Sequence, residues 1–297
     1  MLRTKGAEAL AACFVEDDLM DEARLREELA GELRRTGAVT SPALAQAFES
    51  VPRHRFIPEV APEDAYADRA ISIKSEGVNT LASISQPSML AKMLELAEVQ
   101  PGARVLEIGT GSGYNAALLA HLAGDAGLVV TIEVESDLAD RARAALSACG
   151  YDRVRVVHAD GYGGFADDAP YDDIIVSARA SDIAEAWWEQ LRDGGRIIVP
   201  LDIGIAGEYA VGFLRDGDEL RSVGIVHCLF VALRGGEQPA VSPENVFVRS
   251  ADARYARRSR SIASIRAVRT AEAASEMLAG ADVVVAQRQT TFAITWE

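Results

Sequence analysis

The sequence predicts an α/β protein built on a parallel, doubly wound sheet. Three observations lead there. Five short apolar runs, at 105–109, 129–133, 154–157, 174–177 and 196–200, alternate with helical patterns at 115–122, 137–149 and 183–191. The first run ends in Gly109-Thr110-Gly111-Ser112-Gly113 and opens a helix, leaving free N–H groups and no Cβ atoms where a ligand can approach the main chain. The second run ends in an acid, Glu133, placed where a carboxylate can accept both hydroxyls of a ribose. A glycine turn alone is equally a structural strand–helix connection; the turn together with Glu133 points to a nucleoside-like ligand at the strand ends.

The chain has 297 residues, which predicts one sizeable core with additions at both ends: a helical N-terminal region with a substrate-side loop (1–82), a core (83–234) and a C-terminal extension (235–297). Cys13, Cys149 and Cys228 lie far apart with no C-x-x-C spacing, so neither a disulfide framework nor a metal site is expected. There is no leader pattern and no run of roughly 18 apolar residues, so the reading is a soluble, cytoplasmic protein without a membrane partner. A net charge of −15 repels phosphate backbones and argues against a nucleic-acid partner. Seven arginines nevertheless fall between Arg249 and Arg269, either as a solvated helix face or as a contact surface for an acidic peptide.

In chain order, residues 1–40 read as helix, with Leu25, Leu29 and Leu33 on one face and a stop at Gly37. Ser41 as N-cap and Pro42 at N1 start a second helix that turns Leu44, Phe48 and Val51 inward. Pro52 and Pro58 bracket a rigid connection, followed by a short strand at 71–73 and a polar loop from Lys74 to Ala82. After the alternating core, two strands at 209–215 and 225–233 flank the turn Asp216-Gly217-Asp218 as an antiparallel hairpin. The tail reads as a helix at 270–279, an apolar run at 283–285 and a half-buried strand carrying Phe292, Ile294 and Trp296.

The glycine spacing 109/111/113 departs from the dinucleotide pattern G-x-G-x-x-G. With Glu107 two residues ahead, it resembles motif I of the S-adenosylmethionine-dependent methyltransferases. Phe48-Glu49-Ser50-Val51-Pro52-Arg53, Ala65-Tyr66-Ala67-Asp68 and Ser83-Ile84-Ser85-Gln86-Pro87 precede that motif, and Asp160-Gly161 and Leu191-Arg192-Asp193-Gly194-Gly195 follow it. In this order they resemble the protein L-isoaspartate (D-aspartate) O-methyltransferase family over roughly 40–234. The resemblance implies a class I, Rossmann-like sheet of seven strands with a small α+β extension behind it. It also implies that S-adenosylmethionine is the cofactor and S-adenosylhomocysteine its product. Ser85 then matches the active-site serine. Glu107, Gly109, Thr110, Gly111, Gly113 and Asn115 fall at the methionine end, Glu133 at the ribose, Asp160 and Gly161 at the adenine, and Ser83, Ser177 and Arg179 on the acceptor side.

The chemistry is modest in its demands. A carboxylate acceptor is already ionised near neutral pH, its ordinary pKa being about 4, so no general base is needed and positioning carries the reaction. Ser85 can orient that carboxylate by donating a hydrogen bond, and it can also cap the helix that follows; no G-x-S-x-G elbow or placed histidine makes it an acyl-transfer nucleophile. His54, His121, His158 and His227 show no ligand spacing, and His121 reads as a surface residue. Tyr114 and Asn115 either touch the methionine end or only start the helix, and Trp187 and Trp188 read as packing.

Three features depart from the repair enzymes: the long loop 75–82, Arg179 within Ser177-Ala178-Arg179-Ala180-Ser181 where the family has small residues ending in proline, and the tail after Gly235. Together they resemble the branch that tailors ribosomally made peptides such as graspetides and lanthipeptides. That resemblance implies methylation of an Asp side chain in a pre-modified or cyclised peptide, then closure to a succinimide (aspartimide) and opening to isoaspartate. General isoaspartyl repair is the competing enzyme, a non-catalytic binding protein the competing class, and an NAD oxidoreductase a third reading that the glycine spacing disfavours.

Overall fold

The computed structural model describes residues 21–202, 207–236, 246–248, 262–269, 283–286 and 290–296. The first helix, α1, covers 21–35 of these, buries Leu29 and Leu33, and stops at Gly37, whose φ is +74°. In α2 (Pro42–Ser50) the Ser41 hydroxyl accepts the N–H of Leu44 at 3.3 Å, and Leu44 and Phe48 face the core. A 3₁₀ turn (Arg53–Phe56) and the single turn α3 (Pro62–Ala65) follow. The short strand expected at 71–73 is the start of a longer one, and the segment expected as a polar loop completes a β-ribbon, β1 (Ile71–Glu76) paired antiparallel with β2 (Asn79–Ile84). Residues 75–80 are exposed, so no alternation of apolar and polar side chains marked that part as strand.

The core then alternates as expected: α4 (Pro87–Ala97), β3 (Arg104–Ile108), α5 (Tyr114–Ala123), β4 (Leu128–Glu133), α6 (Ser136–Ala148), β5 (Arg155–His158), β6 (Tyr171–Val176), α7 (Glu185–Gln190) and β7 (Leu191–Asp202). Strands β5, β4, β3, β6 and β7 are parallel neighbours in that order. Because the chain leaves β3 toward β4 and later returns to its other side at β6, the crevice for a ligand opens at the C-terminal end of β3.

Strand β8 (Glu208–Asp216) and β9 (Glu219–His227) continue the sheet antiparallel. The second arm of this hairpin lies earlier than the sequence predicts, because the Asp216↔Glu219 pair closes the turn at once and draws Leu220 into the ladder. Residues 228–233, expected as strand, belong instead to a strap, 228–236. It is held where Arg179 donates its N–H to Val231 O and accepts the N–H of Leu233, each at 2.8 Å.

The sheet does not end at seven strands. In the tail, β10 (Val246–Val248), β11 (Ile262–Val268), β12 (Val283–Ala286) and β13 (Thr291–Trp296) extend it to eleven, with β11 paired on β9. This pairing covers the edge that β9 would otherwise expose. Part of the arginine-rich segment is thus strand, with Arg266 on Glu219 and Arg269 on Glu185. Its other arginines and the helix expected at 270–279 lie outside the described residues.

Successive residues of the central strands feed opposite faces, the period of two that a covered sheet requires. Val105, Ile175 and Ile198 join α1, α2, α4 and α5 on one side. Leu106, Ile174 and Ile197 join Trp187 and Trp188 of α7 with Ile265, Phe292 and Ile294 of the tail on the other. Among the described residues no helix is long and apolar enough to cross a membrane.

Glu95 of α4 staples the helical face together. Its carboxylate accepts the N–H groups of Thr40 and Ser41 at 2.8 Å each and the hydroxyls of Thr40 and Ser41 at 2.7 and 3.1 Å, at the start of α2. Burial pushes its pKa up, but the four donors outweigh burial and leave it below the ordinary value. Replacing Glu95 by Ala should cost about 1–3 kcal/mol in denaturant unfolding. A carboxyl lowered in the folded state contributes stability above its unfolded pKa and loses it as pH falls, so the difference between the two proteins should shrink in acid.

Candidate active site

At the end of β3, Glu107 is fully buried and bonded from three sides. Asn115 Nδ2 on α5 donates to Oε1 at 2.7 Å, Ser177 Oγ after β6 donates to the same oxygen at 3.2 Å, and Thr131 Oγ1 on β4 donates to Oε2 at 2.5 Å. Thr131 has only one hydroxyl proton, so in its 2.7 Å contact with Thr110 it is Thr110 that donates. Burial raises the Glu107 pKa to about 7 against the pull of these donors, and nearby Glu133 adds to the rise. Asn115 Oδ1 is buried without a partner beside this carboxylate.

The glycine turn adopts the left-handed conformations that its residues permit, with φ of +92°, +54° and +91° at Gly109, Gly111 and Gly113. Gly111 donates its N–H to Glu133 Oε2 at 2.9 Å, and Glu135 donates to Glu133 Oε1 at 3.1 Å, which fixes the carboxylate and leaves further acceptor positions open. At the third strand end, a Cβ on Gly161 would stand 2.5 Å from Ile108 Cγ2, so this close approach requires glycine. Asp160 accepts the N–H of Tyr162 at 2.9 Å and that of Gly236, in the strap, at 2.5 Å.

One cavity joins these elements to the ribbon. It is lined by Ser83 and Ser85 on one side, by Glu107, Gly109, Thr110, Gly111, Asn115, Glu133 and Gly161 on the other, and by Ser177 and the strap residues 231–234. A shared ion network holds the covers down: Glu135 pairs with Lys74 of the ribbon at 2.5 Å and with Arg234 of the strap, and Lys74 also reaches Asp137 at 2.7 Å.

Ser85 does not cap α4. Gln86 holds that position, but its side chain donates to Asp68 at 3.1 Å rather than capping the helix, and the N–H of Ser88 is taken by Asp68 at 2.8 Å. The Ser85 hydroxyl therefore has no partner among the described residues. Its carbonyl is held by Arg53, a fully buried guanidinium that donates Nη2 to Ser85 O at 2.9 Å and Nε to Ala65 O at 2.7 Å and sits 5.0 Å from the centre of the Tyr114 ring. Burial lowers the Arg53 pKa to about 10, which still leaves it cationic at neutral pH.

Arg53 and Asp68 belong to motifs read from the sequence, but only the fold reveals that they fix Ser85. Thr131 was not visible either, because a threonine within a buried strand reads as ordinary β-propensity. Gly161 is in the cavity wall, whereas Asp160 beside it is not among the lining residues. Arg179 is turned onto Glu208 and Asp202, and its side chain is not part of the cavity wall. Tyr114 starts α5 and is buried between Phe48 and Phe56. His54 bonds Tyr66 and Glu22, whereas His121, expected at the surface, is half-buried beside a separate cavity at the opposite end of the sheet.

A parallel sheet with a glycine turn at its switch point, a buried acid beside that turn and a second acid after the next strand defines a class I S-adenosylmethionine-dependent methyltransferase. Residues 23–238 match the protein-L-isoaspartate(D-aspartate) O-methyltransferase family, and the chain belongs to it. Among its relatives, the protein-L-isoaspartate O-methyltransferase of Methanopyrus kandleri is 42% identical over 226 residues, 75% of this chain and 97% of that protein. The enzyme of that name from Pyrobaculum arsenaticum is 38% identical over 211 residues, 71% of this chain and all of that one. A solved protein-L-isoaspartate O-methyltransferase superposes with a TM-score of 0.68 at 26% identity, covering 92% of this chain and 88% of that one. A putative one from Plasmodium falciparum, in complex with S-adenosyl-L-homocysteine, gives 0.61 at 22% identity, covering 70% and 98%. Coverage of 92% is out of reach without part of the tail, so the extension does not by itself separate this chain from proteins that carry the repair name.

An acid whose pKa is raised in the folded state contributes stability below its unfolded value of 4.5 and loses it as pH rises through about 7. The ligand-free protein should therefore lose stability between pH 5 and 8 through Glu107, by about 1.4 kcal/mol for each unit of displacement. Glu107→Gln should flatten that slope in denaturant titrations run across this range.

Proposed function

We propose that this chain transfers the methyl group of S-adenosylmethionine to the carboxylate of an isoaspartyl residue in a protein or peptide. The observation that carries the reading is the single cavity that brings Ser85, with its free hydroxyl, opposite the glycine turn and Glu107. The residues fit the cofactor. Left-handed glycines leave main chain uncovered, Asn115 Oδ1 is an acceptor awaiting a donor, and Glu107 is a buried carboxylate suited to an ammonium group. Glu107 with Asn115 would hold the methionine end, Glu133 the ribose, and Asp160 with Gly161 the adenine.

When bound, S-adenosylmethionine supplies a methyl group on a sulfonium, and transfer to a carboxylate oxygen leaves S-adenosylhomocysteine and a neutral ester. Opposite charges cancel as the methyl group passes, so a dry enclosure favours the step; the ribbon and the strap supply that cover. Ser85 donates to the acceptor oxygen that does not react and turns the other toward the methyl group. Arg53 keeps Ser85 in place from behind the main chain. In the product, a neighbouring backbone nitrogen can attack the ester carbonyl, expel methanol and close a succinimide.

A narrower reading, methylation of an Asp in one pre-shaped peptide such as a cyclised ribosomal product, draws on two features of the acceptor side. Arg179 pairs with Glu208 where the resemblance leads one to expect only small residues, and the segment 71–84 is an ordered ribbon where a short link is expected. Family membership and the named relatives favour the broader reading.

The test is mass spectrometry of an isoaspartyl test peptide and of linear and cyclised Asp peptides after incubation with the protein and S-adenosylmethionine. Methylation of the flexible isoaspartyl peptide is the expected result. Gain of a methyl group followed by net loss of water on the cyclised peptide alone would replace it with the narrower reading. Ser85→Ala should lower kcat by about tenfold, the loss of one orienting hydrogen bond, with cofactor affinity unchanged in calorimetry. Unchanged turnover would remove Ser85 from the mechanism.

A further inference from the structure

The β1–β2 ribbon is a sheet of its own: among the described residues its two strands pair with each other and with no other strand. Its two outer edges face different surroundings. On the β1 side, Ile73 lines a hollow shared with Phe56, Leu138 and Arg141, and Lys74 is tied to Glu135 and Asp137 at the start of α6. On the β2 side, the cavity is lined by Leu81, Ala82, Ser83, Ile84 and Ser85, and by no residue of β1.

Those five residues are consecutive. A strand that presents a face to a cavity touches it with every second residue, whereas a strand that presents its edge touches it with each one in turn. Strand β2 thus meets the cavity edge-on, with a row of main-chain N–H and C=O groups directed along the sheet plane. Among the described residues, none of the main-chain groups of Asn79–Ile84 bonds outside the ribbon. A two-stranded ribbon is marginally stable in water, and a third strand satisfies both its edge and its stability.

We propose that the free edge of β2 docks the substrate peptide as an added third strand and thereby delivers its acceptor carboxylate to Ser85. The proposal rests on the reading that this chain methylates a peptide carboxylate. What identifies the occupant is continuity: β2 runs from an exposed tip, where Val78 is fully exposed, directly into Ser85 in the cavity wall. An extended peptide laid along it therefore has one flank gripped by the edge and its acceptor at the serine. Main-chain pairing would be tolerant of side chains, and it would require the gripped flank to be extended. Because pairing groups on a strand edge recur about every 6.8 Å, only every second peptide residue on that flank bonds.

The test uses the whole protein and a series of isoaspartyl peptides with the acceptor at the centre. Each backbone amide is replaced in turn by an N-methyl amide and, in a parallel series, by an ester, which removes the donor without adding bulk. The expected result is a loss in kcat/KM of about tenfold at alternate positions on one flank, with small effects at the positions between and on the other flank. A parent peptide that is turned over with a flat profile, or with equal losses on both flanks, overturns the docking strand and leaves the methyltransferase reading intact. A parent that is never methylated overturns both.

Discussion

The site depends on one buried carboxylate. Glu107 sits on the central strand and takes hydrogen bonds from α5, β4 and the segment after β6, so the helix that follows the glycine turn and both strands beside β3 are tied at a single point. A group this deep would prefer to be neutral, as its raised pKa records. Three donors do not fully offset the lost water. In the proposed function the cofactor's ammonium group would make good that deficit, and its recognition would then be tied to proton release from the protein.

A second buried charge braces Ser85. Among the described residues Arg53 has no carboxylate partner; it is held by two carbonyl oxygens and an aromatic ring, and Nη1 has no hydrogen-bond partner there. Such an arrangement is costly to bury. In the proposed reaction a cation in direct contact with the acceptor would stabilise the carboxylate that must react, whereas Arg53, behind the Ser85 main chain, would fix geometry without weakening the nucleophile.

The parallel core was legible because its strands are buried on both faces and so appear as unbroken apolar runs, as in Val105–Leu106 and Ile174–Ile175. The cofactor side was legible for a related reason: a turn that must take left-handed conformations has few residue types open to it. Of the ribbon only 71–73 was legible, since residues 75–80 are exposed and its pairing is carried by main chain, which leaves no mark on composition. Nor was the strap, whose two bonds to Arg179 join segments some fifty residues apart. The serine itself was visible only through its motif. That its hydroxyl is free for a ligand follows from Asp68 taking over the capping of α4, a relation no local spacing encodes.

Glu135 holds both covers of the cavity at once, one through Lys74 and the other through Arg234. Two cations sharing an anion compete for it. Without Arg234, Glu135 would turn its full charge on Lys74, which Asp137 already attracts; without Lys74, Arg234 would have Glu135 to itself. The two covers are therefore not independent: a single carboxylate sets how firmly each is held, and a change at one is felt at the other through charge alone.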